Sequence, residues 1–178
     1  MTVKSEYGRA LFLLAKEIGS TEEIKCDLTA AVKAMEKAPE YTKILDTPAI
    51  AKEEKLKLSD EAFRGLSEYV VNLIKMLAEK RLTYSIGKIS EHFIKRYDDA
   101  NGIERVDAVT VVPMTDAQIR KLEAKLKDIT GKKQIVVKNT VDPAMLGGMK
   151  LRYSGIQLDG SIRTRLDSFE KSIGALVI

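Results

Sequence analysis

The chain has 178 residues, 44% hydrophobic and 31% charged, with a net charge of +4, enough for one domain or two small ones with a core. One cysteine, Cys26, and one histidine, His92, exclude a disulfide framework and argue against a Cys/His metal site. No run of about 18 apolar residues is present, and the start carries no signal or transit pattern, so it reads as the mature N-terminus of a cytoplasmic protein, most simply a bacterial one.

The first hundred residues read as successive helices. Tyr7, Ala10, Leu11, Leu14, Ala15 and Ile18 share one face. Gly19 ends that helix, and Ser20-x-x-Glu23 reads as a capping box for the next. Its stripe is Ile24, Leu28, Ala31, Val32 and Met35, with Cys26 expected as a small packing residue. Pro39 and Pro48 bracket a short helix from Glu40 to Leu45. Further amphipathic stretches run from Ala51 to Phe63, Leu66 to Ala78 and Tyr84 to Tyr97. Asn101-Gly102 stops them, because both residues tolerate the left-handed conformation. The sum is a bundle of six helices over residues 1–102.

After Gly102 the period changes. Ile103 to Val112 is β-branched and strand-like. Thr115-x-x-Gln118 caps a helix carrying Ile119, Leu122, Leu126 and Ile129, and Gly131 ends it. Gln134 to Lys138, Met149 to Tyr153 and Ile156 to Leu158 read as strands, with Ser154-Gly155 as a tight turn between the last two. Ser161 then reads as the cap of a last helix through Ile162, Leu166, Phe169 and Ile173. The predicted class is therefore α+β, mainly α: a helical bundle, 1–102, followed by a small α+β module, 103–178.

Charge is uneven along the chain. Residues 1–102 carry 17 Lys+Arg against 17 Asp+Glu, and residues 103–178 carry 13 against 9. An acidic partner for the second part and a solvated basic face both fit that excess.

No catalytic, cofactor or metal constellation emerges. Gly131-Lys132 lacks the spacing of a phosphate loop, since position 126 is Leu and position 133 is Lys. Gly147-Gly148 has no third glycine opening a helix and reads as a bend at a strand entry. Asp98-Asp99-x-Asn101-Gly102 lacks the ligand alternation of a calcium loop. His92, beside Phe93, has no nucleophile placed to use it and reads as a packing histidine. Arg163 and Arg165 in the first turns of the last helix form an anion-attracting corner or pair with Asp159 and Asp167. An RNA-binding module would need exposed aromatics on its sheet, and the predicted strands offer only Tyr153. A hydrolase with paired carboxylates finds no support. Phe12 and Leu13 on the first helix, and Val71 and Met76 on the fifth, lie off the main stripes. A groove for a partner helix and plain burial in a tight bundle both account for that excess.

Tyr7-Gly8-Arg9-Ala10-Leu11-Phe12-Leu13-Leu14-Ala15-Lys16-Glu17 resembles the start of the ATP synthase delta subunit family, related to the mitochondrial oligomycin-sensitivity-conferring protein. The likeness continues through Asp46-x-Pro48-x-Ile50 and Leu77-Ala78-Glu79-x-Arg81-Leu82. It ends with Val141-Asp142-Pro143, Gly147-Gly148, Arg152, Asp159-Gly160-Ser161-Ile162, Arg163 and Arg165-Leu166. Two departures stand out: Ser5-Glu6 where the family has Arg-Pro, and Glu79-Lys80-Arg81-Leu82 where it has Glu-Asn-Gly-Arg-Leu.

The resemblance implies a non-catalytic stator subunit without a cofactor. It links the alpha subunit's N-terminal segment, at the catalytic head, to the b subunits of the peripheral stalk during proton-driven ATP synthesis. The expected location is the cytoplasmic face of the bacterial inner membrane, reached only through the complex. The groove implied between the first and fifth helices assigns Tyr7, Ala10, Leu11, Leu14, Leu73, Met76 and Leu77 to the alpha segment. Gly147, Gly148, Arg163 and Arg165 are assigned to the stalk end, the glycines more as shapers of the fold than as contacts.

Overall fold

The computed structural model describes residues 3–161. Among the described residues, seven α-helices and one four-stranded sheet make an α+β, mostly helical fold. It divides into two compact units, one ending at Tyr97 and one beginning at Asp98. The sequence places the division after Gly102; the last turn of the sixth helix goes instead with the sheet. In that turn the Asp98 carboxylate accepts from Arg105 Nε at 2.5 Å and Nη2 at 3.1 Å.

The first unit holds α1 (Val3–Glu17), α2 (Thr21–Lys37), α3 (Pro39–Asp46), α4 (Lys52–Ala62), α5 (Glu68–Glu79), a 3-10 turn (Thr83–Ser85) and α6, which spans Ile86–Asn101 across the division. Their inner stripes make the core. α2 buries Ile24, Leu28, Ala31 and Met35, and α5 buries Val70, Val71, Leu73, Ile74, Leu77 and Ala78. α6 adds Ile86, Ile89, Phe93 and Tyr97. Each fully buried Leu, Ile or Phe contributes about 1.5–3 kcal/mol. Phe12 meets Phe93 edge to face at 5.8 Å, so one of the off-stripe residues of α1 is core.

Gly8 lets α1 close onto α6. A Cβ there would lie 2.7 Å from His92 Cβ and 2.8 Å from the Ile89 carbonyl oxygen. His92 thus packs through its Cβ against a glycine. Pro39 opens α3 at a first-turn position, where its missing N–H is no loss. Thr47, before Pro48, is extended and ends that helix.

Two expectations fail in this unit. Ser20 precedes α2, but its side chain makes no capping bond. Its backbone (φ −109°, ψ 36°) lies outside the extended region an N-cap needs, because its N–H is spent on the Ala15 carbonyl closing α1. Cys26 is exposed, not packed: it lies between the inward Ile24 and Leu28 and faces out.

In the second unit β1 (Ile103–Thr110) runs parallel to β2 (Gln134–Val141) through the crossover helix α7 (Asp116–Thr130). β3 (Met149–Tyr153) pairs antiparallel with β1, and β4 (Ile156–Asp159) with β3, giving the order β2-β1-β3-β4. Thr115 and Gln118 form the expected capping box, and Gly131 ends α7 at φ +66°. Ser154 and Gly155, at φ +44° and +77°, make the hairpin turn. Val106, Ala108, Leu126, Ile135 and Leu151 form the core between sheet and helix. The expected last helix, with Arg163 and Arg165, lies outside the described residues.

Candidate partner-binding sites

α1 carries two apolar stripes. The inner one is Leu11, Phe12 and Ala15 with Gly8, all buried. The outer one is Val3, Tyr7, Ala10, Leu14 and Ile18, three or four residues apart and hence neighbours on one face. Leu14 and Ile18 are each 37% exposed and Val3 is 60% exposed; Leu13, beside them, is 54% exposed. On α5, Met76 is 47% exposed. A helix buried on one side needs only its inner stripe; the outer one leaves Val3, Leu14 and Ile18 in water.

The two helices meet at a cleft of about 530 Å³, lined by Val3, Lys4 and Tyr7 from α1, Leu77 from α5, and Leu82, Tyr84, Ser85 and Ile89 beyond it. Two cations cover its rings: Lys4 Nζ lies 5.1 Å from the Tyr84 centroid, and Lys80 Nζ 5.8 Å from that of Tyr7. The Ser85 hydroxyl is buried with no hydrogen-bond partner among the described residues.

The seven residues assigned to this groove therefore separate. Tyr7 and Leu77 line the cleft together. Ala10, Leu14 and Met76 face outward. Leu11 and Leu73 are core residues, 6% and 3% exposed, so any part they have is to hold the two helices. Sequence reasoning missed Lys4, Lys80, Leu82, Tyr84 and Ser85; only their grouping beside Tyr7 marks them, and no periodicity carries that.

Two carboxylates set the frame of this site. Asp46, at the end of α3, accepts from the backbone N–H groups of Thr83 at 2.9 Å and Tyr84 at 3.1 Å. Asp27, on α2, accepts from Ser67 N–H at 2.7 Å at the start of α5. Each satisfies amides that a helix start leaves free and adds a favourable charge at its positive end. Their partners lie 37 and 40 residues away in sequence, beyond any local motif.

In the second unit Gly147 and Gly148 adopt φ +145° and +88°. A Cβ on Gly148 would run into the Gly160 carbonyl oxygen and lie 2.7 Å from Ser161 Cα. Gly160 N–H donates to the Met149 carbonyl at 3.0 Å. Asp159 accepts from Ser161 N–H at 2.9 Å and pairs with Lys150 at 3.4 Å. The bonds from Ser161, then Lys150, hold the Asp159 carboxyl at a pKa of about 2. The Gly-Gly and Asp-Gly-Ser motifs are thus two halves of one corner. Beside it, a groove of about 440 Å³ runs between the start of α7 and the end of β1, lined by Val112, Met114, Leu122, both glycines and Met149, with Lys121 and Lys125 at its rim.

Among the described residues no group of three His, Cys, Asp or Glu side chains is placed to hold a metal ion. No helix among them is long and apolar enough to cross a membrane. Tyr153, the aromatic of the strands, packs against the sheet's core.

Comparisons with known proteins bear on both sites. The ATP synthase delta (OSCP) subunit family matches residues 3–173. "ATP synthase subunit delta" of Clostridioides difficile is 29% identical over 178 residues, covering 98% of this chain and 97% of that one. The protein of the same description from Shouchella clausii is 31% identical, covering 97% and 96%. A chain in the cryo-EM structure of the Toxoplasma gondii mitochondrial ATP synthase hexamer has the same fold, with a TM-score of 0.72 at 22% identity, over 97% of this chain and 98% of that one.

Proposed function

The chain belongs to the ATP synthase delta (OSCP) subunit family, a stator component of the ATP synthase, and from that premise we propose that it is the non-catalytic connector between catalytic head and peripheral stalk. The six helices of the first unit act as one bundle that seats the N-terminal segment of an alpha subunit. The second unit, from the sheet onward, grips the b subunits of the stalk. The chain sits at the cytoplasmic face of the bacterial inner membrane, held there only through the complex. Its task is mechanical: to resist the torque of the rotor through tight contacts at both ends.

The observation that carries this reading is the outer stripe of α1. Val3, Leu13, Leu14 and Ile18 on α1, with Met76 on α5, leave apolar surface in water that a helix laid along α1 and α5 would cover. Ala10, Leu14 and Met76 are the anchors of that seat, Tyr7 and Leu77 shape its end, and Leu11 and Leu73 support it from the core. At the stalk end, Gly147 and Gly148 shape the corner beside the lysine-rimmed groove, and Arg163 and Arg165 supply charge.

The test is calorimetric titration of the full chain with a peptide of the alpha subunit's N-terminal segment from the same organism. One-to-one binding is expected, weakened about tenfold by Leu14→Asp or Met76→Asp, as loss of an apolar anchor predicts. Both positions are exposed, so the variants keep the core. A folded chain that does not bind the peptide contradicts the seat on α1 and α5.

A further inference from the structure

Resting on the reading of α1 and α5 as the seat of the alpha segment, we propose that the cleft at the end of this seat selects for an acidic segment, whose carboxylates pair with Lys4 and Lys80. The cleft is apolar at its base, through Leu77, Leu82 and Ile89, and basic at its rim. Both ammonium groups rest over tyrosine rings of the cleft. Neither has a carboxylate within 4.0 Å among the described residues. The nearby acids are engaged elsewhere: Glu6 pairs with Arg9 at 3.5 Å, and Glu79 with Lys52 at 2.9 Å.

A third cation is the chain neighbour of a lining residue. Arg81 precedes Leu82 of the cleft and holds φ +56°, a conformation that favours glycine. It too makes no ion pair among the described residues. A cation resting over an exposed ring is held weakly, and a charge-assisted bond to a carboxylate at a desolvated edge is stronger. An entering acidic residue therefore gains contacts without breaking an ion pair. A basic residue at the same place meets the two lysines, so the rim also biases the direction in which a helix can lie along the seat.

The full chain is titrated with the alpha-subunit N-terminal peptide and with a copy whose Asp and Glu are replaced by Asn and Gln, at roughly 20 mM and roughly 300 mM salt, where screening differs strongly. A Lys4→Gln/Lys80→Gln variant is expected to bind the native peptide about five- to tenfold more weakly at low salt, with a flatter salt dependence. The neutralised peptide should lose the same factor against the native chain and nothing more against the variant. Lys4→Arg/Lys80→Arg should bind as the native chain does. If both the double Gln variant and the neutralised peptide bind normally while Met76→Asp weakens binding about tenfold, acidic selection is overturned and the seat stands. If Met76→Asp and Leu14→Asp also bind normally, the seat is wrong, and the proposal falls with it.

Discussion

At the scale of single residues, one position stands out by its backbone and another by its charge. Arg81 closes α5 in the left-handed region: its N–H bonds to Ala78 O and the next N–H, of Leu82, to Leu77 O. A glycine normally fills this position, and a side chain there costs about 1 kcal/mol. Arg81→Gly should therefore raise stability by ~1 kcal/mol in urea unfolding. A variant less stable than the native chain would contradict the left-handed cap. Asp159 is the second case, through charge rather than backbone. Its folded pKa, about 2, lies below the ordinary carboxylate value, so its contribution is present above pH ~4 and lost as pH falls toward 2. Asp159→Asn should abolish the part of the acid-induced loosening that amide exchange detects at Gly160, whose N–H holds the corner. Unchanged acid sensitivity in that variant would assign the effect elsewhere.

At the scale of elements, much was legible because helix and strand periods are local. The stripes of α2, α5 and α6, the capping box of α7 and the turn at Ser154-Gly155 all follow from residues within a few positions of one another. Ser20 was misread because a capping signature says nothing of the backbone angle at which the preceding helix ends. Cys26 was misread because a small residue fits either side of a stripe. The helix starts capped by Asp27 and Asp46 were not legible at all, since their amides lie 40 and 37 residues away. Asp46→Ala leaves two amides without their charged acceptor and should cost about 1.5–3 kcal/mol, seen as a lower thermal midpoint. Asp27→Ala, with one such bond, should cost less. Equal midpoints for Asp46→Ala and the native chain would show that the carboxylate does not hold the start of α6.

For the candidate sites, sequence supplied the faces and the structure their burial and grouping. Tyr7 and Leu77 were assigned to one groove by resemblance, and they line one cleft. Leu11 and Leu73 share those helices but point into the core, since a stripe broad enough to bind on one edge is buried along the other. Gly148, expected as a bend, and Gly160, named only within the resemblance, prove to be opposite sides of one backbone contact.

At the scale of the whole molecule, the proposed role assigns one partner to each of the two compact units. Apolar surface on α1 and α5 and the lysine-rimmed groove of the second unit lie in separate units. Binding at one end should thus survive damage at the other. The most direct measurement mixes purified catalytic head, the soluble part of the b subunits and the chain, and follows co-elution by size. One complex containing all three is expected, with no association of head with b when the chain is omitted, and a Met76→Asp chain that keeps b but retains less head. Head and b associating equally well without the chain, or Met76→Asp releasing both partners from a folded chain, would contradict the connector role.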